Sequence, residues 1–196
     1  GTDTGNAGTS VPLQYYNGTS WVDYTASSYV QIASTGTTLL VRTAITNDTV
    51  SDNNETFKLV ATNTGGTSTP DTQGVATLKD DGTGSKYLVT NTTGTSDSTG
   101  PGSGFDDDRA LSINNLTVNE GSPYAVFTVT GAAGQYVQLS LANTTTSSDT
   151  DATLGTDTGN AGTSVPLQYY NGTSWVDYTA SSYVQIASTG TTLLVR

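Results

Sequence analysis

The chain has 196 residues, with six Lys and Arg against seventeen Asp and Glu, a net charge of −11, and no His, Cys or Met. That composition excludes disulfides, thiolate and imidazole metal sites, Ser-His-Asp triads and histidine acid–base chemistry. It also leaves no basic patch for nucleic acid or an anionic membrane. Val, Ile, Leu and Phe make up only about a fifth of the chain, which predicts thin cores in need of a staple; without cysteine the candidate staple is a bound metal ion.

In chain order the signals are those of short strands. YYNGTSWV places Asn17-Gly18 between aromatic runs, which predicts a two-residue type I′ hairpin with positive φ at both positions. Alternating or β-branched runs at 29–32, 38–45, 56–62 and 74–79 read as strands, divided by clusters of Gly, Asn, Ser, Thr and Asp. Residues 83–105, TGSKYLVTNTTGTSDSTGPGSGF, read as a flexible linker. Within it Tyr87, Leu88 and Val89 form an apolar island expected to cover part of a neighbouring domain. Further strands are expected at 116–120, 125–130 and 136–142. No stretch carries a helical apolar period, so the fold class is all-β, an antiparallel sandwich.

Residues 1–42 recur without a change at 155–196, an offset of 154. A repeat of this kind governs the architecture. The expected organisation is a window on a tandem array: 1–82 as the C-terminal part of one sandwich module, 83–108 as an interdomain linker, and 109–196 as the N-terminal part of the next. The expected partners are neighbouring copies of the module, head to tail. No apolar run approaches the ~18 residues of a membrane span, so no direct membrane insertion is expected. No signal peptide is visible, so export would be directed from elsewhere in a longer protein.

The acids gather around the joint. Asp80 and Asp81 close the run at 74–79, Asp97 lies in the linker, Asp106, Asp107 and Asp108 open the next module, and Glu120 follows. A second cluster, TNDTVSDNNETF, holds Asp48, Asp52 and Glu55. Adjacent carboxylates repel by roughly 1–3 kcal/mol per pair at an intermediate dielectric. They are therefore either solvated turn acids, since Asp favours turns, or ligands of a cation. Ca²⁺ is the natural one, because it takes six to eight oxygens in flexible geometry, whereas Mg²⁺ demands an octahedron and keeps its waters. The EF-hand pattern D-x-D-x-D-G is absent.

The order VNEGSPYAVFTVTG, VRTAITNDTVSDNNETFKLVATNTGG and GVATLKDDGTG resembles a Calx-β-like domain. Together with YYNGTSWVDY and DDDRALSINNLTVNEGS it is similar to the immunoglobulin-like extender repeats of giant bacterial RTX adhesins. The resemblance covers essentially the whole chain, in rotated order. It implies Ca²⁺ held between an early Glu, matched by Glu120, an acidic loop, matched by Asp48, Asp52 and Glu55, and a terminal pair, matched by Asp80 and Asp81. The chain departs from that pattern at Asn47, Asn53 and Asn54, where acids are usual, which implies a weaker site or fewer ions.

The resemblance implies a calcium-rigidified spacer of a bacterial surface adhesin, extracellular, projecting a distal binding region from the cell and serving in adhesion and biofilm formation. The alternative is a carbohydrate- or surface-binding module using Tyr15, Tyr16, Trp21 and Tyr24 and their copies Tyr169, Tyr170, Trp175 and Tyr178 as a stacking platform. No enzyme is expected: the paired carboxylates crowd into Gly- and Asn-rich loops, where the raised pKa of a catalytic acid is hard to arrange.

Overall fold

The computed structural model describes residues 12–64, 72–102, 104–143, 152–155, 157–159 and 166–196. The chain divides into two compact units, Gly1–Gly100 and Pro101–Arg196. The described residues form strands, bridges and turns without any helix, and every pairing between strands is antiparallel.

The described residues of the first unit form three small sheets. Strands β1 (Gln14–Tyr16), β2 (Trp21–Asp23) and β3 (Val41–Arg42) form one, in the order β2-β1-β3. Strands β4 (Thr56–Ala61) and β5 (Thr72–Thr77) pair along their full length, from Thr56↔Thr77 to Ala61↔Thr72. Strands β6 (Ser85–Lys86) and β7 (Ser98–Thr99) pair within the segment expected to be a flexible linker.

The second unit is a two-layer sandwich. Its strands are β8 (Ser112–Ile113), β9 (Phe127–Thr130), β10 (Tyr136–Val137), β11 (Gln168–Tyr170), β12 (Trp175–Asp177), β13 (Val184–Gln185) and β14 (Thr192–Val195). One sheet has the order β12-β11-β14-β9-β8, the other is β10-β13. Val129, Leu193 and Val195 from the first and Val137 and Val184 from the second meet in a core completed by Leu167, Tyr178 and Ile186. The period of two is visible in β14, where Leu193 and Val195 are buried while Thr192 and Leu194 are exposed.

Residues 12–42 and 166–196 are identical in sequence but differ in structure. Local features form in both. The hairpin loop is the same: Asn17 N–H donates to Ser20 O at 3.1 Å and Asn171 N–H to Ser174 O at 3.0 Å. Each Asn Oδ1 accepts from the N–H groups of the Thr and Ser two and three residues on, at 2.9 Å. Only Gly18 and Gly172 have positive φ there, 96° and 95°. The expected two-residue type I′ turn is therefore a four-residue loop, because the Asn side chain caps the turn instead of entering the left-handed region. Ser27 and Ser181 share a φ of 65° and 64°.

Features that need a distant partner form once. β13 and β14 exist because β10 and β9 pair with them. In the first unit 29–32 forms no strand and 38–45 contributes only β3. The expected strand 116–120 is also absent; Ser112–Ile113 pairs with β9 in its place. Among the described residues, all eight buried hydrophobic ones lie in the second unit.

Candidate metal centre

The pairing of β4 with β5 continues past the strand ends. Asn54 N–H donates to Leu78 O at 3.0 Å and Leu78 N–H to Glu55 O at 2.8 Å. This zips the loop that carries Asp52 onto the segment that carries Asp80 and Asp81. Asp52 N–H donates to Asp80 Oδ2 at 3.1 Å, and Asp80 N–H to Asn53 Oδ1 at 3.2 Å. Asn53 Nδ2 donates to Asp81 Oδ2 at 2.8 Å. Asn53, where the resemblance expects an acid, thus supplies a donor to Asp81 in place of a further ligand oxygen.

Asp81 is engaged at both oxygens. Its Oδ1 accepts from Thr83 N–H at 3.1 Å and from the Thr83 hydroxyl, and Lys79 Nζ stands 3.9 Å from Oδ2. Partial burial is the largest single influence and pushes its carboxyl up. The hydrogen bonds from Thr83 and Asn53, with the Lys79 charge, together outweigh burial and hold it below its ordinary value.

Asp107 also has a protein partner. Arg109 Nε and Nη2 donate to its two oxygens at 2.8 and 2.6 Å, a bidentate ion pair. The middle carboxylate of the Asp106–Asp107–Asp108 run is thereby neutralised. Asp80 in the first unit and Asp106 and Asp108 in the second form the group of candidate ligands, with Asp106 exposed and the other two half-buried. Carboxylate oxygens are hard donors and suit a divalent cation of the calcium or magnesium kind.

The remaining acids stand outside this group. Asp48 Oδ1 accepts from Val50 N–H at 2.7 Å, closing its own turn. Glu55 contributes its backbone carbonyl to the extended β4–β5 ladder, and Glu120 is exposed in a turn. Asp97 organises a loop: its Oδ2 accepts from Leu88 N–H at 2.7 Å and from Asn91 Nδ2 at 2.8 Å. The Leu88 amide first, then the Asn91 amide, lower its pKa. The stabilisation this gives the loop is present above the ordinary aspartate pKa and is lost as pH falls through the depressed folded-state value. Asp97→Asn removes the charge while keeping an acceptor. The Leu88 amide is then expected to exchange with solvent several-fold faster while metal binding stays unchanged, measured by hydrogen exchange and calorimetry. Loss of metal binding in this variant would place Asp97 among the ligands.

The aromatic positions are used in pairs. Tyr16 and Trp21 have centroids 5.5 Å apart, as do Tyr170 and Trp175. Arg42 lies over the Trp21 ring at 4.2 Å and Arg196 over Trp175 at 4.3 Å. One face of each tryptophan is therefore taken by a guanidinium. Sequence reasoning did not single out either arginine; the signal available was an Arg at the same place in both copies of a chain with only six basic residues.

No protein-family model, curated protein or solved structure matches the chain.

Proposed function

We propose that the chain is part of a calcium-rigidified spacer, an extender repeat of a bacterial surface adhesin that holds a distal binding region away from the cell. What supports this reading most is the concentration of acids on both sides of the Gly-, Ser- and Thr-rich segment, Asp80 and Asp81 before it and Asp106, Asp107 and Asp108 after it. An ion bound to them would fix the span of that segment. Calcium would suit such a segment better than magnesium, because it accepts carboxylates, carbonyls and water in no strict geometry. The unchanged 42-residue recurrence supports the same reading, since a spacer needs one geometry many times over. The order of its motifs resembles Calx-β-like, immunoglobulin-like extender modules. Such a protein works outside the cell, where calcium is millimolar.

Neighbouring copies would join head to tail. The first unit leaves Leu59, Val60 and Val75 exposed and the second leaves Leu111, Ile113 and Val126 exposed, apolar surface of the kind that successive modules would cover.

Titration calorimetry tests the reading. The chain is expected to bind calcium with a Kd of roughly 10⁻⁴–10⁻³ M, the range of extracellular modules, and more tightly than magnesium. The triple variant Asp80→Asn, Asp106→Asn, Asp108→Asn is expected to lose that binding. Equal binding by variant and wild type would sink the proposal.

A further inference from the structure

We propose that the edge formed by Trp175 and Arg196 is a docking site for the loop 87–97 of a second copy of this chain. The first copy of that edge already holds this loop. Trp21 Nε1 donates to Asn91 O at 3.0 Å, and an Arg42 Nη group donates to Val89 O at 2.9 Å. The backbone at Gly94 presses so close that a Cβ there would sit 2.9 Å from Leu40 Cδ2. The apolar side chains Tyr87, Leu88 and Val89, expected to cover a neighbour, are themselves exposed; the loop docks through its carbonyls.

Both partners are shaped before they meet. On the sheet, Arg42 lies over Trp21, and its Nε is fixed by Gln14 Oε1 at 2.8 Å. Gln14 Nε2 in turn donates to Asp23 Oδ1 at 2.7 Å. In the loop, Asn91 Oδ1 accepts from Thr93 and Gly94 N–H, while its Nδ2 donates to Thr95 O and Asp97 Oδ2. Preorganisation of this kind lowers the entropy lost on binding.

The second copy repeats the receptor. Arg196 lies over Trp175, its Nε bonds to Gln168 Oε1 at 2.8 Å, and Gln168 Nε2 bonds to Asp177 Oδ1 at 2.7 Å. Leu194, the counterpart of Leu40, is exposed. Tyr124 stacks on Arg196 at 3.8 Å, which fixes the plane of the guanidinium further. Trp175 Nε1 and the Arg196 Nη groups have no hydrogen-bond partner among the described residues. The loop 87–97 fits this receptor in the first copy of the edge, through Asn91 O and Val89 O, and every copy of the chain carries it, so the occupant is the loop of another copy. The inference needs no metal.

The test is a titration of the full chain, in EDTA, with a synthetic peptide of residues 85–100, followed by NMR. Saturable shifts are expected at the Trp175 indole N–H and at Arg196 but not at Trp21, which its own loop occupies. Trp175→Phe removes one neutral hydrogen bond and is expected to weaken binding about threefold to tenfold. A peptide with Asn91→Ala, which unfolds the loop, is expected to bind more weakly still and tests the idea without altering the receptor. Absence of Trp175 shifts at millimolar peptide would overturn the proposal, and so would indifference to the peptide substitution.

Discussion

Replacing Ile186 by alanine is expected to destabilise the second unit by about 2–5 kcal/mol, the usual loss for truncating a buried isoleucine. The same replacement at Ile32, which has the same sequence neighbours, is expected to cost no more than about 0.5 kcal/mol, as for an ordinary surface position. Ile186 is 0% exposed and Ile32 is 48% exposed. The difference comes from residues 109–143, whose strands β9 and β10 supply Val129 and Val137 to the core around Ile186. Urea denaturation of the two variants measures both, with hydrogen exchange of first-unit amides as the readout for Ile32→Ala and of second-unit amides for Ile186→Ala. Equal losses would mean that the two copies share one environment.

This pair of identical segments shows what a sequence specifies by itself. The Asn17 and Asn171 loops, and the turns in which Ser28 and Ser182 bond back to Thr25 and Thr179, are alike to within a few tenths of an ångström in hydrogen-bond length. Their chemistry is contained in a few consecutive residues. Strands β13 and β14 are different, because their hydrogen bonds and apolar contacts come from residues far away in the chain. The all-β class was legible for the same reason as the turns: alternation and turn residues are local. The registers, and the absence of a strand at 116–120, were not.

The acids show a similar limit. Asp81, Asp97 and Asp107 were as good candidates on the page as Asp80, Asp106 and Asp108. What the fold sets beside each is different: Thr83 and Asn53 beside Asp81, Leu88 and Asn91 beside Asp97, Arg109 beside Asp107, and the Asp52 amide beside Asp80. Turn acids and ligand acids both favour Gly- and Asn-rich loops, so composition does not separate them. Arg109 was visible as the one nearby base, and its pairing with Asp107 could have been anticipated from the i, i+2 spacing alone.

Chelation is expected to destabilise the chain if it binds calcium as proposed. A ligand that binds only the folded state adds about 2.7 kcal/mol when present at a hundred times its Kd. For a domain of marginal stability, about 5–15 kcal/mol, this is a substantial share, and more so here because the described residues of the first unit contain no buried hydrophobic residue. The melting transition is therefore expected to fall on addition of EDTA and to recover with excess calcium. In the Asp80→Asn, Asp106→Asn, Asp108→Asn variant, which no longer carries the repelling charges, the transition is expected to be indifferent to both. A wild-type transition that EDTA leaves unmoved would count against any metal in this structure.

A calcium ion bound as proposed would hold the Gly-, Ser- and Thr-rich joint at a fixed span. Small-angle X-ray scattering on a chain of two complete 154-residue repeats tests this most directly. The maximum dimension is expected to be longer and the distance distribution sharper in calcium than in EDTA, and the triple Asp→Asn variant is expected to resemble the EDTA state under both conditions. Identical scattering with and without calcium would contradict the account.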